Sequence, residues 1–348
     1  MRRIRLRRLA TWAGLGISAI FAYLSVRDVD FENFSDTLAR GKYWLLIPAT
    51  IVLAFAIYLR GLRWRILFVR EPRPPLDAVT SSLLIGYLFN SILPARAGEA
   101  ARVIALNQRA GTSRSEALAT VVAERLLDVL VLLALLLTAV PFVTEATWLG
   151  SGAAVGGVAF AILTVLLVVL AFNGERPVRF VLRPLSALPN VSSTRVADAA
   201  ANLVQGLAVF RRPGLALRAV VLTTFSWLVI ALSFWLCMRA VRLDEGGDAA
   251  LLVVIAVNLA MILPSGPAGL GVFEAAAVLT LTRFGVDRSE ALSYAVVVHV
   301  LSVVPLIVVG YVALHRHAGA VRRSQAASKS GLTRPVAAGP SGSGRSAS

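Results

Sequence analysis

The sequence predicts an all-α integral membrane protein with six transmembrane helices and two re-entrant helical hairpins in inverted repeats. Three observations lead to this prediction. Hydrophobic residues make up 57% of the 348 residues and the mean hydropathy is +0.75, whereas soluble domains are about 45–50% apolar. Apolar runs long enough to cross a bilayer recur along the chain. A set of features in the first half of the chain returns in the second half.

The repeated set begins with an apolar run that ends in Leu-Pro, at residues 93–94 and again at 263–264. A Gly-containing stretch with a Glu follows each proline, and the residues RSEAL then occur at 114–118 and 288–292. A duplicated hydrophobic unit interrupted by Pro and Gly is a sequence pointer to the substrate site of a transporter. The residues expected to shape the two turns are Asn90, Pro94 and Gly98 in the first copy and Pro264, Gly266, Gly269 and Gly271 in the second.

Two of the apolar runs, at about 76–93 and 249–263, are interpreted as hairpins because lysine and arginine favour the cytoplasmic side. With hairpins at these places, nearly all basic residues lie inside, and both termini are cytoplasmic in the cell membrane. The two units then have opposite orientations and their hairpins enter from opposite faces. The expected full spans are 9–26, 43–59, 117–140, 148–172, 215–239 and 290–314.

The chain is predicted to have three parts. A basic cytoplasmic N-terminus (1–8) precedes a membrane domain (9–318), which contains repeat 1 (about 43–140) and repeat 2 (about 215–314). A Ser-, Gly- and Ala-rich basic tail (319–348) is expected to be disordered.

The net charge of +16 could indicate binding to nucleic acid, but the basic residues flank apolar runs, as topology signals do. No nucleic-acid partner is therefore expected. The chain has one cysteine and three histidines, which do not form a recognisable metal-binding set, so no metal and no other cofactor is predicted. Neither a Ser/His/Asp nor a Cys/His set is apparent, and enzymatic activity is not expected.

The span 117–140 contains Glu124, Arg125 and Asp128. A charged residue near the centre of a span costs roughly 2.5–3.5 kcal/mol, so these side chains must face protein or water. Arg125 lies three residues before Asp128 and can pair with it. Two interpretations stay open, a salt bridge that locks the helix bundle and a role in transport.

Arg96 and Glu99 lie at the predicted start of the helix after the first Leu-Pro, where free N–H groups and the helix dipole favour an anion. The alternative is a folding role without a ligand. Glu274 is the counterpart of Glu99 in the second copy, and its carboxylate could bind an amine or carry a proton. The alternative is a structural role. Arg102 is expected to be an interface anchor, and His299, which aligns with Arg125, to be a packing residue.

These motifs together resemble the transmembrane, flippase-like region of lysylphosphatidylglycerol synthases. The resemblance covers about residues 8–318 and rests on LPARAGE at 93–99, ERLLD at 124–128, the stretch from Pro264 to Glu274, and RGLRWR at 60–65. It implies movement of an aminoacylated phospholipid between leaflets. In well-known members a separate soluble domain performs the synthesis, and because only a tail follows Leu314, synthase activity is not expected.

The first functional hypothesis is therefore a transporter of a phospholipid or polyprenyl-linked lipid. The expected substrate-binding residues are Arg96, Glu99, Glu124, Arg125, Asp128 and Glu274. The alternatives are a proton-coupled carrier of a small soluble solute and a non-transporting membrane partner of a lipid-linked glycan assembly enzyme. A lipid-modifying enzyme or glycosyltransferase and a second copy of the chain are the candidate protein partners.

Overall fold

The computed structural model describes residues 2–93, 97–139, 147–173, 201, 204, 206–263 and 265–329. These residues form α-helices and short 3-10 turns, and no strand occurs among them. The all-α prediction is therefore confirmed. Pro94, Arg96, Pro264 and the tail beyond residue 329 lie outside the described residues.

Seven helices are described in the first half of the chain. They are α1 (Arg2–Val26), α2 (Phe31–Ala39), α3 (Leu46–Leu67), α4 (Leu76–Ile92), α5 (Gly98–Ala110), α6 (Arg114–Ala139) and α7 (Thr147–Phe172).

Four helices are described in the second half, and 3-10 turns precede or follow three of them. They are α8 (Pro213–Ala240), α9 (Gly247–Ala260), α10 (Val272–Leu281) and α11 (Arg288–Lys329), with 3-10 turns at Leu207–Arg211, Pro267–Gly269 and Thr282–Phe284.

Local sequence explains several helix ends. The Asp30 side chain accepts hydrogen bonds from the backbone N–H groups of Glu32 and Asn33 and so caps α2. Gly111, with φ of 66°, ends α5 in the left-handed conformation that glycine adopts without strain. Pro213 occupies the first turn of α8, where its missing N–H leaves no helical bond unmade.

Four helical segments are long and apolar enough to cross a membrane, Tyr43–Leu67, Ala154–Phe172, Pro213–Ala240 and Arg288–Gly319. They correspond to four of the six predicted spans. The other two predicted spans coincide with α1 and α6. Helix α6 contains the charged residues Glu124, Arg125 and Asp128. The two runs interpreted as hairpin entrances form the shorter apolar helices α4 and α9.

The two halves pack in matching ways. The first unit consists of α3, the pair α4–α5, and α6, and the second consists of α8, the pair α9–α10, and α11. Helix α3 packs along α8, α4 packs on α11 of the other unit, and α9 packs on α6 of the other unit. Helix α1 lies against α10. Each helical pair is thus held between its own unit and the last helix of the other, which places the pairs around a shared centre.

Two boundaries differ from the prediction. Helix α3 continues to Leu67, beyond the predicted end of the span at residue 59, so Arg60 and Arg63 are helical. The helix continues because residues 60–67 contain no proline, and Arg63 and Trp64 fit into the protein core. Helix α11 extends to Lys329, beyond the domain boundary suggested at residue 318.

Candidate functional site

A cavity of about 490 Å³ lies between the two units. Residues of α3, α4, α5 and α6 from the first unit and of α8, α9, α10 and α11 from the second line it. Much of the lining is apolar, and polar groups from both units interrupt it. The polar residues of the lining are Arg60, Tyr87, Asn90, Ser91, Glu99, Arg125, Trp227, Asn258, Ser265, His299 and Ser302.

In the first unit, Asn90 and Gly98 hold α4 and α5 together near the turn. The backbone N–H of Gly98 donates to the Oδ1 atom of Asn90 at 2.9 Å. A Cβ atom on Gly98 would lie only 1.9 Å from the carbonyl oxygen of Gly86. Glycine is therefore required at position 98 because the two helix backbones approach so closely.

In the second unit, the turn before α10 is held against α1. The backbone N–H of Gly266 donates to the Ser18 hydroxyl oxygen at 2.8 Å. Gly271 has φ of 84°, and a Cβ atom there would lie 2.2 Å from the Ser18 carbonyl oxygen. Gly269 also has a positive φ of 79°. These glycines therefore allow a tight turn next to another helix backbone.

In each unit, the second helix of the helical pair contacts the last helix of that unit through a carboxylate and a basic side chain. Glu99 of α5 contacts Arg125 of α6, with 2.8 Å between Oε1 and Nε. Glu274 of α10 contacts His299 of α11, with 2.5 Å between Oε1 and Nδ1. The sequence register aligned Glu99 with Glu274 and Arg125 with His299, and the structure makes them equivalent pairs. His299 also stacks on Phe273, with ring centroids 4.3 Å apart. It therefore has both a packing contact and a contact to the Glu274 carboxylate.

Behind the wall of the cavity lies a buried charge cluster. Arg63 of α3 is 0% exposed and contacts Asp128 at 2.5 Å and Glu124 at 3.3 Å. Arg102 of α5 contacts Glu124 at 3.2 Å. Charges removed from water this completely are stable only when opposite charges compensate them. The cluster therefore holds α3, α5 and α6 together at the centre of the protein.

Several expectations about charged residues need adjustment. The expected pairing of Arg125 with Asp128 exists at 3.7 Å, but Asp128 has its shortest contact with Arg63. Arg102 is 2% exposed and bonded to Glu124, so its interpretation as an interface anchor is wrong. It is buried because α5 packs between α4 and α6. Glu124 and Asp128 lie in the cluster and not in the lining of the cavity.

Arg60 is the lining residue that the sequence analysis missed. Its guanidinium lies over the Trp227 ring at 4.3 Å, and its Nη1 donates to the Tyr87 hydroxyl at 3.3 Å. The available signal was the three-residue spacing from Arg60 to Arg63, which places both on one helix face if the helix continues. Among the described residues, no group of His, Cys, Asp and Glu side chains is suited to hold a metal ion.

The apolar spans, the paired units and the charged cavity define a multi-pass, helical integral membrane protein. The family model of the lysylphosphatidylglycerol synthase TM region matches residues 11–310, and the chain belongs to this family. The resemblance recognised in the sequence is thus confirmed.

Two proteins that are similar in sequence to this chain have other names. A UPF0104 membrane protein of Methanothermobacter thermautotrophicus is 24% identical over 270 residues, covering 74% of this chain and 79% of the relative. Glycosyltransferase AglD of Haloferax volcanii is 26% identical over 333 residues, covering 84% of this chain but 52% of the relative. The chain thus spans about half the length of the second relative.

Proposed function

We propose that this protein moves a phospholipid or another phosphate-bearing lipid between the two leaflets of the cell membrane. The observation that carries the proposal is the cavity between the units. It combines polar groups from both units, among them the charged Arg60, Glu99 and Arg125 of the first unit, with large apolar side chains at its edge. Leu93, Ile262 and Leu263 line it and are 40%, 55% and 45% exposed. A polar headgroup would occupy the charged interior while the acyl chains stay next to the exposed apolar residues.

The size of the cavity supports a headgroup as its occupant. At about 490 Å³ it falls within the range of roughly 300–1,000 Å³ that is usual for small-molecule sites. Moving a charged headgroup through hydrocarbon is the costly part of lipid transfer, whereas the chains are stable in the bilayer. A carrier therefore needs to enclose only the headgroup.

Alternating access would follow from an inverted arrangement of the two units. In this proposal six helices span the membrane, the pairs α4–α5 and α9–α10 are re-entrant, and both termini are cytoplasmic. The matching packing of each pair on the last helix of the other unit supports it. Irregular backbone at membrane depth also requires a protein or cavity surrounding, which the turn before α10 has.

Cysteine labelling tests this topology. Cys237 is buried, so Cys237→Ser provides a suitable background for single cysteines at the exposed positions Gln108 and Asp244. An impermeant thiol reagent should label the first only from the cytoplasm and the second only from outside. Labelling of both from the same side would contradict the inverted arrangement.

The proposed role is that of a non-catalytic membrane module. The relative in Haloferax is named a glycosyltransferase, and the shared region is about half of that protein. A lipid-modifying enzyme or a glycosyltransferase is accordingly a proposed partner, as is a second copy of this chain. The proposal includes no nucleic-acid partner.

A proton-coupled carrier of a small soluble solute is the second candidate. The Glu274–His299 contact favours it, because an imidazole exchanges protons near neutral pH. In that function the same cavity would hold the solute, and the exposed apolar residues at its edge would have no part.

Transport can be tested with the purified protein in liposomes. A lipid carrying a fluorescent headgroup is placed in both leaflets, and a membrane-impermeant reductant reports the fraction that reaches the outer leaflet. Wild-type protein should accelerate the movement with any required ion gradient supplied. Glu274→Gln should slow it while the protein remains folded, and Arg96→Ala tests the residue predicted from the sequence. Protein-free liposomes and Gly214→Ala, at a position with open space around it, are the controls.

One result would favour the carrier of a soluble solute. It is the combination of no lipid movement under any gradient with gradient-driven uptake of a solute into the same liposomes. No movement of either kind would favour a membrane partner without transport.

A further inference from the structure

Apart from atoms of the paired Glu99 and Arg125, three polar atoms in the described residues of the cavity lining are buried and have unused hydrogen-bonding capacity. They are Nε of Arg60, Nε1 of Trp227 and Oγ of Ser302, each buried and without a hydrogen-bond partner among the described residues. All three residues line the same cavity. Roughly 90% or more of buried polar groups in proteins have a partner. Three unpartnered groups around one space therefore indicate that something else binds there.

The chemistry of these groups selects the ligand. The N–H groups of arginine and tryptophan can only donate, and a serine hydroxyl can donate as well as accept. Trp227 is 3% exposed, so bulk water does not satisfy its N–H. A ligand that complements this set must offer several acceptor atoms in one place. An oxyanion does so.

The charge at the cavity leads to the same conclusion. Arg125 also lines it but is paired with Glu99 at 2.8 Å. Arg60 has no salt bridge to any described carboxylate, although Asp128 is near enough to interact with it electrostatically. Both oxygens of Asp128 are already bonded to Arg63. Among the described residues of the lining, Arg60 is thus the arginine that remains available to an anion in the cavity.

The guanidinium of Arg60 is also held in place. The Trp227 ring lies 4.3 Å from it and the Tyr87 hydroxyl accepts from its Nη1 at 3.3 Å. Stacking on an aromatic ring fixes the plane of the guanidinium and leaves its edge free for hydrogen bonds. The planar fork of arginine suits the paired oxygens of a phosphate group.

We propose that Arg60, Trp227 and Ser302 form a binding site for the phosphate group of the transported molecule. The inference deepens the proposed function and rests on it in assigning the phosphate to a lipid. The chemical class is a phosphate ester with at least one negative charge. The same chemistry is offered by a lipid headgroup and by free phosphate, and the experiment below separates these sources.

Native mass spectrometry of the purified protein measures the binding. The protein is incubated with equal amounts of phosphatidylglycerol and a diacylglycerol glycolipid with the same acyl chains, which lacks phosphate. Wild-type protein should retain the phospholipid in preference to the glycolipid. Equal retention of the two would overturn the proposal.

Substitutions assign the preference to particular atoms. Arg60→Gln should reduce it by about tenfold or more, as expected for the loss of a charge-assisted hydrogen bond. Trp227→Phe keeps an aromatic ring under Arg60 but removes the N–H, and should reduce the preference by about threefold, the size of a neutral hydrogen bond. Arg70→Gln makes the same change at an exposed residue outside the cavity and should leave the preference unchanged.

Two further comparisons complete the test. Millimolar inorganic phosphate is added as a competitor of the phospholipid. If it displaces the phospholipid from wild-type protein but has no effect on Arg60→Gln, the site binds free phosphate and the assignment to lipid is overturned. An unchanged preference in both Arg60→Gln and Trp227→Phe would overturn the site itself, even if the liposome assay finds lipid movement. Conversely, a preference that depends on Arg60 in a protein that moves no lipid would support the site and reject the proposed transport.

Discussion

The two helical pairs around the cavity, α4–α5 and α9–α10, are held in place by different side-chain contacts. Helix α5 is tied to α6 by Glu99 and Arg125, and the buried cluster around Arg63 reinforces the same region. Helix α10 is tied to α11 by Glu274 and His299, with Phe273 stacked on the imidazole. An arginine stays charged at all physiological pH values, whereas a histidine gains and loses its charge near neutrality.

This difference indicates unequal roles for the two pairs. The tie on α5 is permanent and backed by further charges, so the first pair is suited to remain fixed. The tie on α10 consists of the Glu274–His299 contact and one stacked ring, so the second pair is suited to move. The four predictions below test this comparison, in order of decreasing effect.

The largest effect is expected from the buried cluster. Arg63→Ala leaves Asp128 without its closest partner in a site where Arg63 is 0% exposed. Breaking a buried ion pair costs about 3–5 kcal/mol in soluble proteins, so the folded fraction should fall sharply. Size-exclusion chromatography of the fluorescently tagged protein measures it after solubilisation.

The double variant Arg63→Met/Asp128→Leu should recover part of the loss because it removes both charges. Arg70→Ala, at an exposed arginine, should behave as wild type. An equally poor yield for the double variant would show that packing, and not charge compensation, governs this position.

Glycine substitutions come next. Gly98→Ala and Gly271→Ala each introduce a Cβ atom within 2.2 Å of a backbone oxygen, and overpacking of this kind costs about 1–3 kcal/mol. Gly98→Ala should separate α4 from α5, whereas Gly271→Ala should separate α10 from α1. Thermal denaturation followed by intrinsic fluorescence compares both with Gly214→Ala, whose added atom meets nothing within 4 Å. Unchanged melting temperatures would contradict the close approaches.

The third prediction concerns the tie on α10. His299→Phe keeps a ring next to Phe273 but removes the contact to Glu274. The free energy of unfolding should therefore fall by about 1.5 kcal/mol, as for a hydrogen bond to a carboxylate. Thermal denaturation followed by intrinsic fluorescence measures this loss.

The corresponding carboxylates compare the two ties. Glu99→Gln should destabilise the protein less than Glu274→Gln, because Arg125 also contacts Glu124 and Asp128. The opposite order would show that the tie on α5 is the weaker one.

The smallest effect is expected from two asparagines that line the cavity, Asn90 and Asn258. Asn90 accepts the N–H of Gly98 across the turn, whereas Asn258 donates to Val254 within its own helix. Asn90→Ala should therefore lower the unfolding free energy by about 1 kcal/mol, and Asn258→Ala by less. Equal melting temperatures for the two variants would show that Asn90 and Asn258 contribute equally to stability, which would contradict this prediction.

Much of the architecture was predictable from the sequence because it follows from local patterns. Apolar length located the helices, and the duplicated Leu-Pro and Gly-containing stretches located the two turns. Charged residues in the span 117–140 indicated an interior site, since their exposure to lipid is too costly. The alignment placed Glu99 with Glu274 and Arg125 with His299 at matching positions. It did not predict their pairing, since Arg125 was paired with Asp128 and His299 was expected to be a packing residue.

The partners of these residues were less predictable. Pairing of Arg125 with Asp128 was inferred from their spacing on one helix, but Arg63 lies 65 positions from Asp128 and forms the shorter contact. No local sequence pattern predicts which residue of another helix will form a salt bridge with a given side chain. Arg60 and Arg63 lie beyond the end predicted for the span 43–59, because basic residues usually mark the end of a span.

The sequence by itself determined the all-α membrane class, the family, the duplication and the glycine-dependent turns, because hydropathy, motif order and backbone freedom are properties of contiguous residues. Only the tertiary structure decided which charges compensate one another and which remain available. Charge compensation depends on distances between helices, and these are set by packing of the whole chain. That packing buries Arg63 and Arg102 against carboxylates and leaves Arg60 in the cavity beside Trp227.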